Sequence, residues 1–154
     1  MILIDETKLL ELIIESRSSP RKRASYSPTS PDYCGLQFLA NAIQPESYIP
    51  PHKHPSGEIW IPLSGSIDLI IFDEEGRLTE VKRLNDKKTR VLEVPEKTYH
   101  TGIATEPDSV FGNLNIGPYS PDNKIQAPFA PIERDPASAQ YLERLKREIA
   151  NFVR

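Results

Sequence analysis

Between Leu36 and Ile116 the apolar residues fall into short runs broken by turn residues. Leu36, Phe38, Ala40 and Ala42 alternate with Gln37, Leu39, Asn41 and Ile43, the period of two that a strand requires. Ser47–Ile49, Glu58–Leu63, Ser66–Phe72, Arg77–Leu84, Thr89–Val94, Thr98–Thr105 and Ser109–Ile116 continue the series. Asp73-Glu-Glu-Gly76 reads as a hairpin turn and Asn85–Lys88 as another turn. Eight or nine strands at regular spacing, with no helical insertion and no internal repeat, predict an all-β sandwich or barrel of the jelly-roll kind. Such a fold encloses a pocket that several strands line.

Two strands are apolar on both faces. Glu58 and Trp60, with Ser64, share one face of their strand, but Ile59, Ile61 and Leu63 occupy the other. Ile67, Leu69 and Ile71 likewise stand opposite Ile70 and Phe72. Strands of this kind need a cover on each side, which the terminal helices or a second subunit would supply; a homodimer is expected. Pro62 cannot donate to a central ladder, so an edge position or a bulge is expected there.

Helical spacing appears only at the ends. Asp5 is a candidate N-cap, and Leu9, Leu10, Ile13 and Ile14 form an apolar stripe, so a helix is predicted over about residues 6–17. Asp135-Pro136 is a strong helix start, and Leu142, Leu145, Ile149 and Phe152 mark an amphipathic helix over about 136–153. Residues 17–33 are rich in Ser and Pro and carry Arg17, Arg21, Lys22 and Arg23; they read as a long basic loop. Residues 117–136 form a second proline-rich segment. It either crosses the pocket mouth, with Tyr119 and Lys124 reaching inward, or acts as a rigid strap. The expected division is residues 1–33 as helix and basic loop packed on the core, 34–116 as the β-sandwich, and 117–154 as strap and helix, all in one globular domain.

The chain has 154 residues, enough for one well-formed core. A net charge of −3 gives no electrostatic reason to expect nucleic acid as a partner. No apolar run approaches the ~20 residues of a membrane helix, and the first residues lack the basic start of a signal peptide. The single cysteine, Cys34, excludes an intrachain disulfide, reads as a small buried thiol and fits a reducing, cytoplasmic compartment.

The chemistry concentrates in Pro50–Gly65. Two of the three histidines, His52 and His54, stand one residue apart, so on a strand both face one point while Lys53 faces away. Pro55-Ser56-Gly57 reads as a turn that returns Glu58 toward that point. His100 arrives from a distant strand. Three imidazoles and one carboxylate suit one divalent transition metal per chain: Fe, Mn, Ni, Zn or Co. An octahedral ion would keep two positions open for water or substrate. The alternative is that these are ordinary polar residues at strand ends; it leaves unexplained why the whole histidine inventory falls into one pattern.

The spacing His52-x-His54-x3-Glu58-x6-Gly65 resembles the first cupin motif, and Pro95-x4-His100 the core of the second. Glu46, Lys97 and Ala104 stand where those motifs usually carry Gly, Gly and Asn, departures that touch turns more than ligands. Within the cupins the chain resembles the WbuC-type cupin fold metalloproteins, on Ser19-Pro20-Arg21, Pro51-His-x-His54, His100-Thr101, Gly117-Pro118-Tyr119 and Ala127-Pro-Phe-Ala-Pro131. The resemblance implies a cupin-type double-stranded β-helix and a divalent metal on His52, His54, Glu58 and His100. It also implies a link to surface-polysaccharide or nucleotide-sugar metabolism.

Two classes of function follow. One is an enzyme in which the metal polarises a carbonyl or hydroxyl pair of a small polar metabolite, a sugar, sugar phosphate or nucleotide-sugar, for isomerisation or epimerisation. With Fe(II) the same site suits a dioxygenase. The other is a non-catalytic metal- and ligand-binding module. The expected substrate-binding residues are Trp60, Arg21, Arg23, Tyr119 and Lys124. A general base separate from Glu58 would have to come from Tyr48, Tyr99, Tyr119 or Glu96.

Overall fold

Alternation and helical spacing translate into two antiparallel sheets with a helix laid on the outside of each. In the computed structural model, which describes residues 4–85 and 87–152, the elements in order are α1 (Glu6–Ser18), β1 (Arg23–Tyr26), β2 (Leu36–Ile43), β3 (His52–Lys53), β4 (Glu58–Ser64) and β5 (Ser66–Phe72). β6 (Leu78–Asn85), β7 (Leu92–Val94), β8 (Tyr99–Ala104) and β9 (Ser109–Ile116) follow, then a short 3-10 turn (Pro121–Asn123), β10 (Ile125–Gln126) and α2 (Ser138–Phe152). The first sheet runs β1-β2-β9-β4-β7 and the second β10-β3-β8-β5-β6. Residues 1–3, Asp86 of the Asn85–Lys88 turn and residue 153 of the expected last helix lie outside the described residues.

The inward faces meet in a cluster of Ile43, Trp60, Val94 and Phe111 from the first sheet and Ile67, Leu69, Leu84 and Ala104 from the second. Trp60 and Phe111 stack with ring centroids 4.4 Å apart. α2 covers the outer face of the second sheet: Tyr141, Leu142, Leu145 and Ile149 pack on Ile70, Phe72, Tyr99 and Ile103. α1 covers part of the outer face of the first sheet, where Leu12 meets Ala24, Ala40, Ala42 and Val110. α2 therefore covers the outer face of β5, whereas the α1 cluster takes in only Leu63 of β4 and leaves Ile59 exposed.

The turns behave as their residues dictate. Gly76 takes φ +83° in the β5–β6 hairpin, and Gly65 takes φ +71° between β4 and β5, where a Cβ would come within 2.6 Å of Ser109. Pro62 sits at a register shift in the β4–β9 pairing, beyond the reach of β7, which pairs only with Glu58–Trp60.

Several expectations need correction. The buried stripe of α1 is Leu9, Leu12, Ile13 and Ser16; Leu10 and Ile14 are each 56% exposed, because the helix rests on its 9–12–13–16 side. The basic loop is not all loop: Arg23–Tyr26 pairs with Ile43–Ala40 as an edge strand, seated by the buried Ala24. α2 begins at Ser138 because Asp135 is spent on a turn, its carboxylate accepting from the Ala137 N–H and its carbonyl from the Ser138 N–H. Phe152 lies half exposed beyond the buried stripe, and Cys34 is an exposed thiol in the loop before β2.

Large-to-small substitutions should separate the covered stripes from the bare ones. Leu145→Ala should cost about 2–5 kcal/mol. Leu10→Ala and Phe152→Ala should each change stability by less than about 0.5 kcal/mol. Urea unfolding midpoints of the three variants measure both.

Candidate metal centre

β3 and β8 are neighbours in the second sheet, with His52 opposite His100 in register. His54 follows β3 directly. The three ligand nitrogens lie within 4.8 Å of one another. His100 and His52 are buried and His54 is half buried.

Each ring is held by the same device. Nδ1 of His52 lies 2.9 Å from the Pro50 carbonyl, Nδ1 of His54 2.8 Å from the Asn123 carbonyl, and Nδ1 of His100 2.8 Å from the Thr98 carbonyl. A carbonyl only accepts, so each Nδ1 carries the hydrogen, and in the neutral ring Nε2 keeps its lone pair. Burial, with repulsion from Lys124 and His100, holds the pKa of His52 well below the ordinary value. Burial also lowers His54, against a partial pull upward from Glu58. Both are thus neutral donors at neutral pH.

Glu58 enters from the first sheet. Its carboxylate is buried, with Oε1 2.7 Å from His100 Nε2, although the pair is not aligned as a hydrogen bond. Among the described residues, Oε1 of Glu58 and Nε2 of His100 have no hydrogen-bond partner. A carboxylate oxygen and an imidazole lone pair facing each other without partners fit the place of a shared cation.

The strap completes the centre. Gln126 and Ile125 of β10 pair with His52 and Lys53, and the Ala127 N–H donates to the Pro51 carbonyl. The carbonyl that orients His54 belongs to the same segment. Lys97, where the motif usually has glycine, takes φ +57° and donates its N–H to the His54 carbonyl. The turn geometry thus persists without glycine.

The expected ligand-binding residues scatter. Trp60 is buried against Gly102 and Phe111, its indole N–H without a hydrogen-bond partner. Lys124 is an exposed residue of the strap whose ammonium is nonetheless desolvated and near enough to His52 and Glu58 to act on them; desolvation, with repulsion from Arg23 and Arg21, lowers its pKa. Tyr119 is 66% exposed rather than turned inward. Arg21 and Arg23 are already engaged: Arg21 binds Glu133 through Nε at 2.7 Å and Nη2 at 3.0 Å. Arg23 reaches Glu133 at 2.6 Å and the Tyr48 carbonyl at 2.9 Å. These arginines fasten the strap to the N-terminal segment. Tyr48 and Tyr99 pack beneath α2, on the far face of the second sheet, and Glu96 is exposed beside Lys97.

Two residues on the inner face of the first sheet escaped the sequence reading. Asn113 Nδ2 donates to Glu58 Oε2 at 3.0 Å, and Asn41 Nδ2 donates to Asn113 Oδ1 at 3.0 Å. Their signal was available: both take inward positions of the alternation, Asn41 beside Ile43 and Asn113 beside Phe111.

A two-sheet jelly roll with this arrangement is a cupin fold. Oxalate decarboxylase from Bacillus subtilis superposes with a TM-score of 0.53 at 20% identity, over 68% of this chain and 27% of that one. KdgF from Halomonas sp. superposes at 0.52 and 20% identity, over 68% of this chain and 87% of that one. The chain thus spans about a quarter of the oxalate decarboxylase chain, a protein with Mn(II) centres. Residues 4–84 match the family described as a domain of unknown function, DUF6016, and the chain belongs to that family. Among curated proteins none matches the chain by sequence.

The fastening of the strap should be pH dependent. Burial raises the Glu133 carboxyl but Arg21 and Arg23 outweigh it, so its folded pKa lies below the ordinary 4.5. Its contribution is complete above that value and is lost as pH falls through the folded pKa. Glu133→Gln should therefore lower stability by about 1 kcal/mol at pH 7 once solvent screening is counted, and the gap to the parent should narrow as pH falls below the ordinary 4.5 and through the lower folded value. Denaturant titrations of both proteins across that range measure it.

Proposed function

We propose that this chain is a metal-dependent cupin in which His52, His54, His100 and Glu58 hold one divalent transition metal, from the set Fe, Mn, Ni, Zn or Co. The observation that carries the reading is the common use of Nδ1: three rings tied to carbonyls, with three Nε2 lone pairs converging. A bound metal would supply Lewis-acid polarisation of a substrate oxygen. Three neutral imidazoles and one carboxylate leave a divalent ion with net positive charge. Lys124 adds to it, so the open side favours an oxygen-rich or anionic ligand. That supports a small polar metabolite, a sugar, sugar phosphate or nucleotide-sugar, in line with the resemblance to WbuC-type cupins and surface-polysaccharide metabolism. Arg21 and Arg23 act in this reading through the strap rather than on phosphate.

A non-catalytic ligand-binding module is the second reading. It is favoured by the burial of Tyr48 and Tyr99 beneath α2 and by the exposure of Tyr119 and Glu96, while Lys124 is a side chain whose charge reaches the centre. A homodimer is proposed through the outer face of the first sheet, where the register brings Leu36, Ile116 and Ile59 together around Leu114, all outside the cover of α1. A cytoplasmic setting is part of the proposal; no described helix is long and apolar enough to cross a membrane.

Elemental analysis of the purified protein should find about one transition metal per chain, and His54→Ala should abolish it. Because the sheets are held by the apolar clusters, the metal-free variant should melt close to the metal-free parent. Unfolding of both the variant and the metal-free parent would instead assign the metal a stapling role, and absence of metal after reconstitution would refute the reading. Ile116→Glu should turn a dimer into a monomer, read by light scattering on a sizing column.

A further inference from the structure

Glu58 is fixed from behind by a chain of hydrogen bonds that all run in one direction. The Ser25 hydroxyl donates to Asn41 Oδ1 at 2.7 Å, Asn41 Nδ2 donates to Asn113 Oδ1 at 3.0 Å, and Asn113 Nδ2 donates to Glu58 Oε2 at 3.0 Å. The polarity is forced: the carboxylate can only accept, so Asn113 must present its amide nitrogen to it. Asn113 then offers its oxygen to Asn41, which in turn offers its own oxygen to Ser25. The chain crosses the first sheet from β1 through β2 and β9 to β4. Ser25 faces Asn41 in register, while the other two links run diagonally between neighbouring strands, Asn113 facing Leu39 on one side and Trp60 on the other.

We propose that Asn113 is a positioning residue for the metal centre, and that it makes Glu58 a one-oxygen ligand. By occupying Oε2, it rotates the carboxylate so that Oε1 alone faces His100 without a partner. Asn41 and Ser25 set the amide orientation of Asn113 and polarise it. A carboxylate free at both oxygens can chelate a cation through both; one tied at Oε2 leaves an additional position for ligand. This inference rests on the metal-binding reading above and adds the residue that determines how many coordination positions stay open.

The test uses the full chain loaded with Mn(II) or Co(II) alone. Asn113→Leu keeps the side-chain volume and removes the donor. Its Mn(II) affinity should fall about 10–100-fold, and the visible spectrum of the Co(II) form should change as Glu58 gains freedom. Asn41→Leu should give a smaller loss in the same direction. The double variant should bind no more weakly than Asn113→Leu, because Asn41 acts through Asn113. Additive losses, or Asn113→Leu binding with parental affinity and spectrum, would overturn the inference while leaving the metal reading intact. A parent protein that binds neither ion overturns both. If Asn113→Leu does not fold, Asn113→Asp serves: it keeps shape and replaces the donor by an acceptor. It should lose at least as much affinity, and parental binding by it would refute the role.

Discussion

An imidazole can offer its Nε2 lone pair to a shared centre only while Nδ1 is satisfied as a donor. The architecture serves that requirement three times with backbone rather than side chains. His52 and His100 bond to the carbonyl two residues earlier, just ahead of their strands, so once β3 and β8 pair their rings are set locally. His54 differs. Its partner is the Asn123 carbonyl, 69 residues away in the strap. The centre is therefore complete only with the strap docked, which explains the investment in that segment: β10 against β3, Ala127 on Pro51, and Glu133 between Arg21 and Arg23.

Two-sided apolar strands are the second constraint. β5 presents Ile67, Leu69 and Ile71 inward and Ile70 and Phe72 outward, and without α2 the outward pair would face water. α2 and the strap lie on the same sheet, so the segment from Gly117 onward both orients His54 and seals the layer behind β8. α1 seals less: Leu36, Ile59 and Ile116 stay exposed on the first sheet.

Much of this was legible in the chain. Alternation located the strands because a half-buried strand must repeat every two residues, and Pro62 announced its register shift because proline has no N–H to give. The histidine spacing placed all three rings together. What sequence spacing cannot carry is a choice among several apolar stripes on one helix, so Leu12 was missed and Leu10 and Ile14 were placed inward. Nor does it show which charges find partners. Arg21 and Arg23 look like an anion site until Glu133, more than 100 residues away, is brought between them. Alternation marks Asn113 as an inward polar residue, but the carboxylate it holds is known only once β9 lies beside β4.

The histidines belong to the second sheet and Glu58 with its asparagines to the first, so the two halves of the centre meet only across the sandwich. Each buried polar atom left without a partner costs about 1–3 kcal/mol, and Glu58 Oε1, His100 Nε2 and the Trp60 N–H are all in that state. The apolar contacts between the sheets must hold those atoms apart from water without help from them. Trp60 does this most directly, stacked on Phe111 and seated over Gly102 at the level of Glu58 and His100. A cation bridging Glu58 and His100 would then relieve polar strain already stored between the sheets, rather than create the packing that stores it.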